Sequence, residues 1–244
     1  MAVKMKVLLT NDDGIDSTGL HIVAKWAAKH FDEVVIAAPK TQQSGKSHAI
    51  CIHTPIEITR RDDFAPNARA YCVDSTPVDC VRYATLGLKE NYDLVISGIN
   101  KGYNLGEDML YSGTVGAVFE ASLRGINGIA LSTEYTSFDT AEAWLDDIYN
   151  FFVSRNLFAH NDVYNVNIPL EVRGILPTRM GGAYYTDDFI AVDEHHFDQQ
   201  GYMVYNYGDD LTIDTDATMN GYISVTPLST RRDNAEAWNK IKRV

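Results

Sequence analysis

Apolar residues in the first half of the chain follow two alternating patterns. Short, nearly continuous apolar runs at residues 6–10, 34–38, 93–97 and 128–132 predict strands buried on both faces. Between them lie segments with helical spacing. Residues 17–30 place Leu20, Val23, Ala27 and Phe31 on one side, and 76–88 carries Pro77 in its first turn. Two further helices are expected at about 113–124 and at 140–153, the latter anchored by Trp144, Ile148 and Phe151. Such alternation is the mark of βα units wound into a parallel sheet. Pro39 stops the second strand, 40–47 reads as a polar loop, and 48–59 reads as extended chain or a hairpin.

The second half has a different texture. Strand candidates at 164–168, 175–180, 202–205 and 222–226 are separated by polar, tyrosine-rich turns without intervening helices, and a short helix is expected near 234–241. The pattern predicts one domain over 1–244: an α/β core with a mostly parallel sheet to about residue 160, then a β-rich extension over 161–244. Isolated hairpins are marginal in water, so these arms are expected to serve self-association.

Composition narrows the chemistry. A net charge of −12 repels nucleic-acid phosphates over most of the surface, which argues against binding a nucleic-acid duplex. No apolar stretch approaches the length of a membrane-spanning helix, and the apolar run ending at Thr10 is too short for a signal-peptide core. Cys51, Cys72 and Cys80 are odd in number and widely spaced, as expected of reduced thiols in a cytoplasmic protein. An acidic chain that handles a phosphorylated substrate must neutralise it locally, with a cation or with backbone amides.

In doubly wound sheets the ligand crevice lies beyond the carboxyl ends of the strands. Here those ends are polar: Asn11, Asp12, Asp13 and Gly14 after the first strand, Ser44 and its neighbours after the second, Gly98 to Asn100 after the third. Adjacent carboxylates repel, and a hard cation with oxygen ligands is the simplest compensation. An Asp before a helix often caps it, but Asp16 or Ser17 can fill that role, which leaves Asp12 and Asp13 for the cation. Ser44 and Asn100 would complete an oxygen-rich shell suited to magnesium or manganese. Ser112, Gly113 and Thr114 stand where a helix begins, and its free amides and dipole make a phosphate cradle.

Other motifs fail. Gly45-Lys46-Ser47 has Lys40 where a P-loop needs glycine, and Gly98, Gly102 and Gly106 do not form G-x-G-x-x-G. No G-x-S-x-G elbow is present, and His195-His196 beside Asp193 and Glu194 reads as solvated surface.

The segments LLTNDDGIDSTGL, QSG at 43–45, VDSTPVDCV at 73–81, DLVISGINKGYNLGEDMLYSGTVGAVFEA at 93–121 and GYISVTPL at 221–228 together resemble the SurE survival proteins, stationary-phase nucleotidases. The resemblance implies hydrolysis of nucleoside 5′- and 3′-monophosphates, and sometimes of short polyphosphate, with one divalent metal ion per subunit. It implies metal ligands at Asp12, Asp13, Ser44 and Asn100, and phosphate-facing residues at Asn11, Gly98, Ser112, Gly113 and Thr114. A Rossmann-like three-layer core, a swapped C-terminal element and homodimers or homotetramers are also implied. Two positions depart from the family pattern: Gln43 stands where many members carry arginine, and Ser75-Thr76-Pro77 where many have Gly-Thr-Pro. Loss of the arginine removes a phosphate contact unless Lys46 replaces it.

The expected reaction is metal-assisted attack of water on a phosphomonoester, with Asp12 or Asp13 taking a proton. The rival readings are a nucleotide-dependent oxidoreductase or transferase on the same fold and a non-catalytic nucleotide sensor.

Overall fold

The computed structural model describes residues 4–242; residues 1–3, which open the N-terminal run, lie outside it. The chain starts with β1 (Lys6–Thr10), α1 (Thr18–His30) and β2 (Glu33–Pro39). Ser17 caps α1, its hydroxyl accepting from the Leu20 amide, so Asp12 and Asp13 are not the cap. The cationic last turn, with Lys29 and His30, suits the negative end of the helix dipole.

After β2 come a short edge strand, β3 (Ile58–Arg61), and β4 (Ala68–Val73). Neither was separated by the periodicity of the sequence, because most of their side chains are only partly covered. The expected helix over 76–88 is α2 (Pro77–Arg82) followed by a π-helical turn over Tyr83–Gly87. Next are β5 (Leu94–Lys101), α3 (Gly113–Leu123), β6 (Asn127–Thr133), α4 (Asp139–Ser154) and β7 (Val163–Ile168). β5 runs four residues beyond its expected end. A register shift between Ser97 and Asn100 bends it, and pairing with β6 resumes at Asn100–Ser132.

The chain ends with β8 (Gly174–Pro177), the hairpin strands β9 (Tyr185–Ala191) and β10 (Phe197–Met203), α5 (Asp214–Met219), β11 (Tyr222–Leu228) and α6 (Ala235–Ile241). Nine strands form one sheet in the order β3-β4-β2-β1-β5-β6-β7-β11-β8, parallel from β4 to β7. β3 runs antiparallel to β4, and β11 antiparallel to β7. This is the mostly parallel α/β fold expected. The division near residue 160 is not a break in the sheet, however. β7, β11 and β8 extend it, and β11 is mostly buried within it rather than offered as an arm. The element standing apart is the β9–β10 hairpin, exposed along its whole length.

Central strands alternate their side chains between two apolar layers. Val7 and Leu9 pack with Leu20, Val23, Leu145 and Ile148 of α1 and α4. Leu8 faces the other way, onto Val81 of α2 and Val115 and Val118 of α3. Burying each such side chain contributes roughly 1.5–3 kcal/mol, which is why β1 has no polar face. α3 sits tightly in this layer because GTVGAVFEA offers mainly small side chains, buried on every side.

The fold also fixes where a site can form. β2 leaves β1 on one side and β5 lies on the other, so the order reverses between β1 and β5. Ligands bind at such a switch point, beyond the carboxyl ends of the strands.

Candidate active site

Asp12 and Asp13 leave the carboxyl end of β1 at this switch point, and Asn100 stands opposite, near the end of β5. Asp12 is only 5% exposed, its backbone carbonyl accepting from the Gln43 amide at 2.7 Å. Its Oδ1 accepts a short hydrogen bond from the Thr114 hydroxyl. Asp13 Oδ2 accepts from the Lys101 amide at 3.1 Å, and Gln42 Nε2 reaches Asp13 Oδ1 at 3.4 Å and Ser44 Oγ at 3.0 Å. Asn100 spends its Nδ2 on the Gly102 carbonyl at 2.7 Å, which leaves Oδ1 as the acceptor for a cation. Asp12, Ser44, Asn100 and Ser112 all line one cleft of about 900 Å³.

Electrostatics sets the character of this cluster. Burial, reinforced by the charge of Asp13, pushes Asp12 up to about 6 against the Thr114 hydrogen bond. Burial likewise raises Asp13, although the Lys101 amide and charge oppose it. Among the described residues neither carboxylate forms an ion pair. Two adjacent carboxylates in partial burial, with a hydroxyl and an amide oxygen beside them, fit a hard divalent ion.

A second group, Asp16, His21 and Asp63, brings potential ligand atoms within 4.8 Å of one another. Arg61 already donates to Asp16 at 2.7 Å and to Asp63 at 2.6 Å, and His21 stacks on Phe64. The guanidinium supplies the positive charge there, so the switch-point group suits a metal better.

The start of α3 forms the other wall. Ser112 caps it, its Oγ accepting from the Val115 amide at 3.2 Å while its carbonyl takes the Gly116 amide at 3.0 Å. The Gly113 and Thr114 amides have no hydrogen-bond partner among the described residues. A Cβ added to Gly113 would stand 3.4 Å from Asp12 Oδ2, so those amides open beside the carboxylate.

Asn11 and Gly98 behave differently from the rest of the expected set. The Asn11 amide group donates to the Gly14 carbonyl at 2.9 Å and to Ser17 Oγ at 2.6 Å, tying the β1–α1 turn together. Its Oδ1 is buried without a partner, as are the hydroxyls of Thr10 and Ser97 at the same strand ends. Gly98 has φ +135°, and a Cβ there would come within 2.3 Å of the Leu131 carbonyl, so the bend of β5 toward Asn100 requires glycine. Asn11 and Gly98 are absent from the cleft lining, as are Asp13, Gly113 and Thr114, whereas Asp12, Ser44, Asn100 and Ser112 are on it. Gln43 turns back onto Thr41 of its own loop, and Lys46 is exposed and outside the cleft lining. Ser75 donates to Asp79, a role within the structure.

Much of the cleft wall was not legible in the sequence. Tyr103, Tyr111 and Asp108 come from the connection between β5 and α3, and Tyr185, Asp187 and Gln199 from the hairpin. Tyr103 and Tyr111 stand in the glycine-rich block, where flanking aromatics are a readable signal. The hairpin residues carry none. Buried Asn104 holds the connection in place, its main chain bonded to Asn165 and Asn167 and its side chain to Ser132.

A family model described as "Survival protein SurE" matches residues 7–187. The 5'-nucleotidase SurE of Clostridium beijerinckii is 36% identical over 92% of this chain and 92% of its own. That of Natranaerobius thermophilus is also 36% identical, with 92% of each chain covered. The crystal structure of the Sure protein from Aquifex aeolicus superposes with a TM-score of 0.77 at 30% identity, covering 98% of both chains. The match runs from β1 through the whole switch point to the start of the hairpin, and on it the chain belongs to the SurE survival protein family.

Proposed function

We propose that this chain is a divalent-metal-dependent phosphomonoesterase that hydrolyses nucleoside 5′- and 3′-monophosphates to nucleoside and phosphate, with short polyphosphate as a further substrate. The observation that carries this reading is the buried Asp12 carboxylate, without a cationic partner, set against the open amides of α3. The 5'-nucleotidase names of the relatives supply the substrate class.

Asp12, Asp13, Ser44 and Asn100 would hold the ion. A bound divalent cation would polarise a phosphoryl oxygen and lower the pKa of a coordinated water. The Gly113 and Thr114 amides receive the phosphate and stabilise charge developing on its oxygens, while Ser112 keeps the helix start intact. Asp12 or Asp13 accepts the proton from the attacking water. Tyr103, Tyr111 and Tyr185 give the cleft aromatic faces for a nucleoside. No described helix is long and apolar enough to cross a membrane. The free cysteines Cys51, Cys72 and Cys80 support a cytoplasmic location.

The test is release of phosphate from nucleoside 5′- and 3′-monophosphates and from p-nitrophenyl phosphate, with manganese or magnesium and after chelation. Turnover should appear with the ion and vanish with chelator. Full activity in exhaustively metal-free protein would overturn the metal requirement. Binding of nucleotide without turnover under any metal would favour the sensor instead.

Self-association through the hairpin belongs to the same proposal. Phe189, Val192 and Phe197 are 69%, 62% and 56% exposed, and two paired strands alone are marginal in water. The full chain should sediment as a dimer or larger. Phe189→Asp combined with Phe197→Asp should shift it toward the monomer, and an unchanged sedimentation profile for the double variant would refute the role of the hairpin.

A further inference from the structure

The loop that carries Ser44 has no secondary structure of its own. From Thr41 to Glu57 the chain forms neither helix nor strand, so its path depends on particular contacts. At one end the Gln43 amide holds the Asp12 carbonyl at 2.7 Å. Four residues on, Ser47 donates from its amide to the Tyr111 carbonyl at 2.9 Å and from its hydroxyl to the Leu110 carbonyl at 2.7 Å. The chain there lies against α3 so closely that a Cβ on Gly116 would come within 2.3 Å of the Ser47 carbonyl.

His48 follows immediately. Its Nε2 lies 3.0 Å from Glu120 Oε2, near the far end of α3. Glu120 is only 3% exposed and is itself fixed: Oε1 accepts from Arg82 at 3.0 Å and from Arg124 at 3.0 and 2.7 Å. Both guanidiniums take the same oxygen, and the other is left for the histidine. Burial alone would raise the Glu120 pKa, but His48, Arg124 and Arg82 together hold it at about 2, so the anchor is a carboxylate at neutral pH. Helix α3 thus carries the phosphate-facing amides at its start and this anchor near its end.

We propose that His48 is a positioning residue: fixed by Glu120, it pins the loop onto α3 and so sets the place of Ser44, four residues upstream, in the metal shell. This rests on the assignment of Ser44 as a ligand. Outer groups that orient ligands commonly change metal affinity about 10–100-fold, and a latch on an otherwise unstructured loop acts in the same way.

Two readouts test it on the full-length protein. Trypsin cleavage after the exposed Lys46 reports whether the loop is pinned, and titration with manganese, followed by the paramagnetic resonance of the free ion, reports the site. His48→Ala should be cut several-fold faster at Lys46 and bind manganese about tenfold more weakly. His48→Gln, which can still donate to Glu120, should recover part of both. Unaltered cleavage at Lys46 in His48→Ala would overturn the latch whatever the metal does. Faster cleavage with wild-type manganese affinity would overturn the positioning role. Ser44→Ala separates the proposal from the assignment it rests on: if it weakens manganese binding while His48→Ala does not, only the positioning role of His48 fails. If neither weakens it, the assignment of Ser44 fails and the positioning role falls with it.

Discussion

Asp12→Asn should lower turnover at least about a hundredfold while leaving the fold intact, the scale expected when the organisation of a catalytic metal is lost. The substitution nearly conserves shape, and an amide oxygen still accepts from the Thr114 hydroxyl. Its effect on stability should run the other way. The folded carboxyl sits at about 6, above its ordinary value of 3.8, so without metal the native state holds the proton more tightly than the unfolded chain. Stability contributed by the protonated form is therefore lost as pH rises from about 4 through 6, and at neutral pH the ionised group is a burden. Metal-free Asp12→Asn should melt above metal-free wild type at pH 7. Saturating manganese should reverse the order, because only the intact site gains stability from the ion. Thermal denaturation with and without manganese, beside a phosphate-release assay, checks both halves. Near-wild-type turnover in Asp12→Asn would remove this carboxylate from the centre.

Glu120→Gln is expected to cost about 2–3 kcal/mol at neutral pH, at the low end for breaking a buried ionic group because Arg82 and Arg124 keep contact with water. For a chain of this size that is a fall of roughly 5–10 °C in melting temperature. The sign with pH follows from the depressed carboxyl. Its folded value of about 2 lies below the ordinary 4.5, so its contribution is complete above about 4.5 and is lost as pH falls toward 2. The gap between variant and wild type should narrow over that window. A constant gap measured by denaturation from pH 7 down to pH 3 would mean that the loss is one of packing and not of charge.

The candidate site at the switch point was readable because β1 and β5 open as apolar runs whose polar residues begin where the strands approach their carboxyl ends. Asp12, Asp13 and Asn100 stand out against that background. Asn100 nevertheless read as loop and lies in strand, because a bulged extension rich in glycine and polar residues has no period of its own. The hairpin failed for a related reason. With every residue of β9 and β10 exposed, no buried face imposes alternation. α5 was missed because its buried residues include Asp214 and Asp216, which bond to the backbone or to Tyr205 and look like a polar turn. The His48–Glu120 contact joins residues 72 positions apart and leaves no local trace.

Among the described strands β9 and β10 pair only with each other, so apart from the Tyr185 amide, which donates to Asp108 at 2.6 Å, their outer edges are open to further strands. Such edges recruit further strands, and the exposed charges of Asp187, Asp188 and Asp198 should oppose this by repulsion between copies. Their protection is electrostatic and fades with added salt. Added salt should therefore promote association of this protein at high concentration, and light scattering across a salt series would read it.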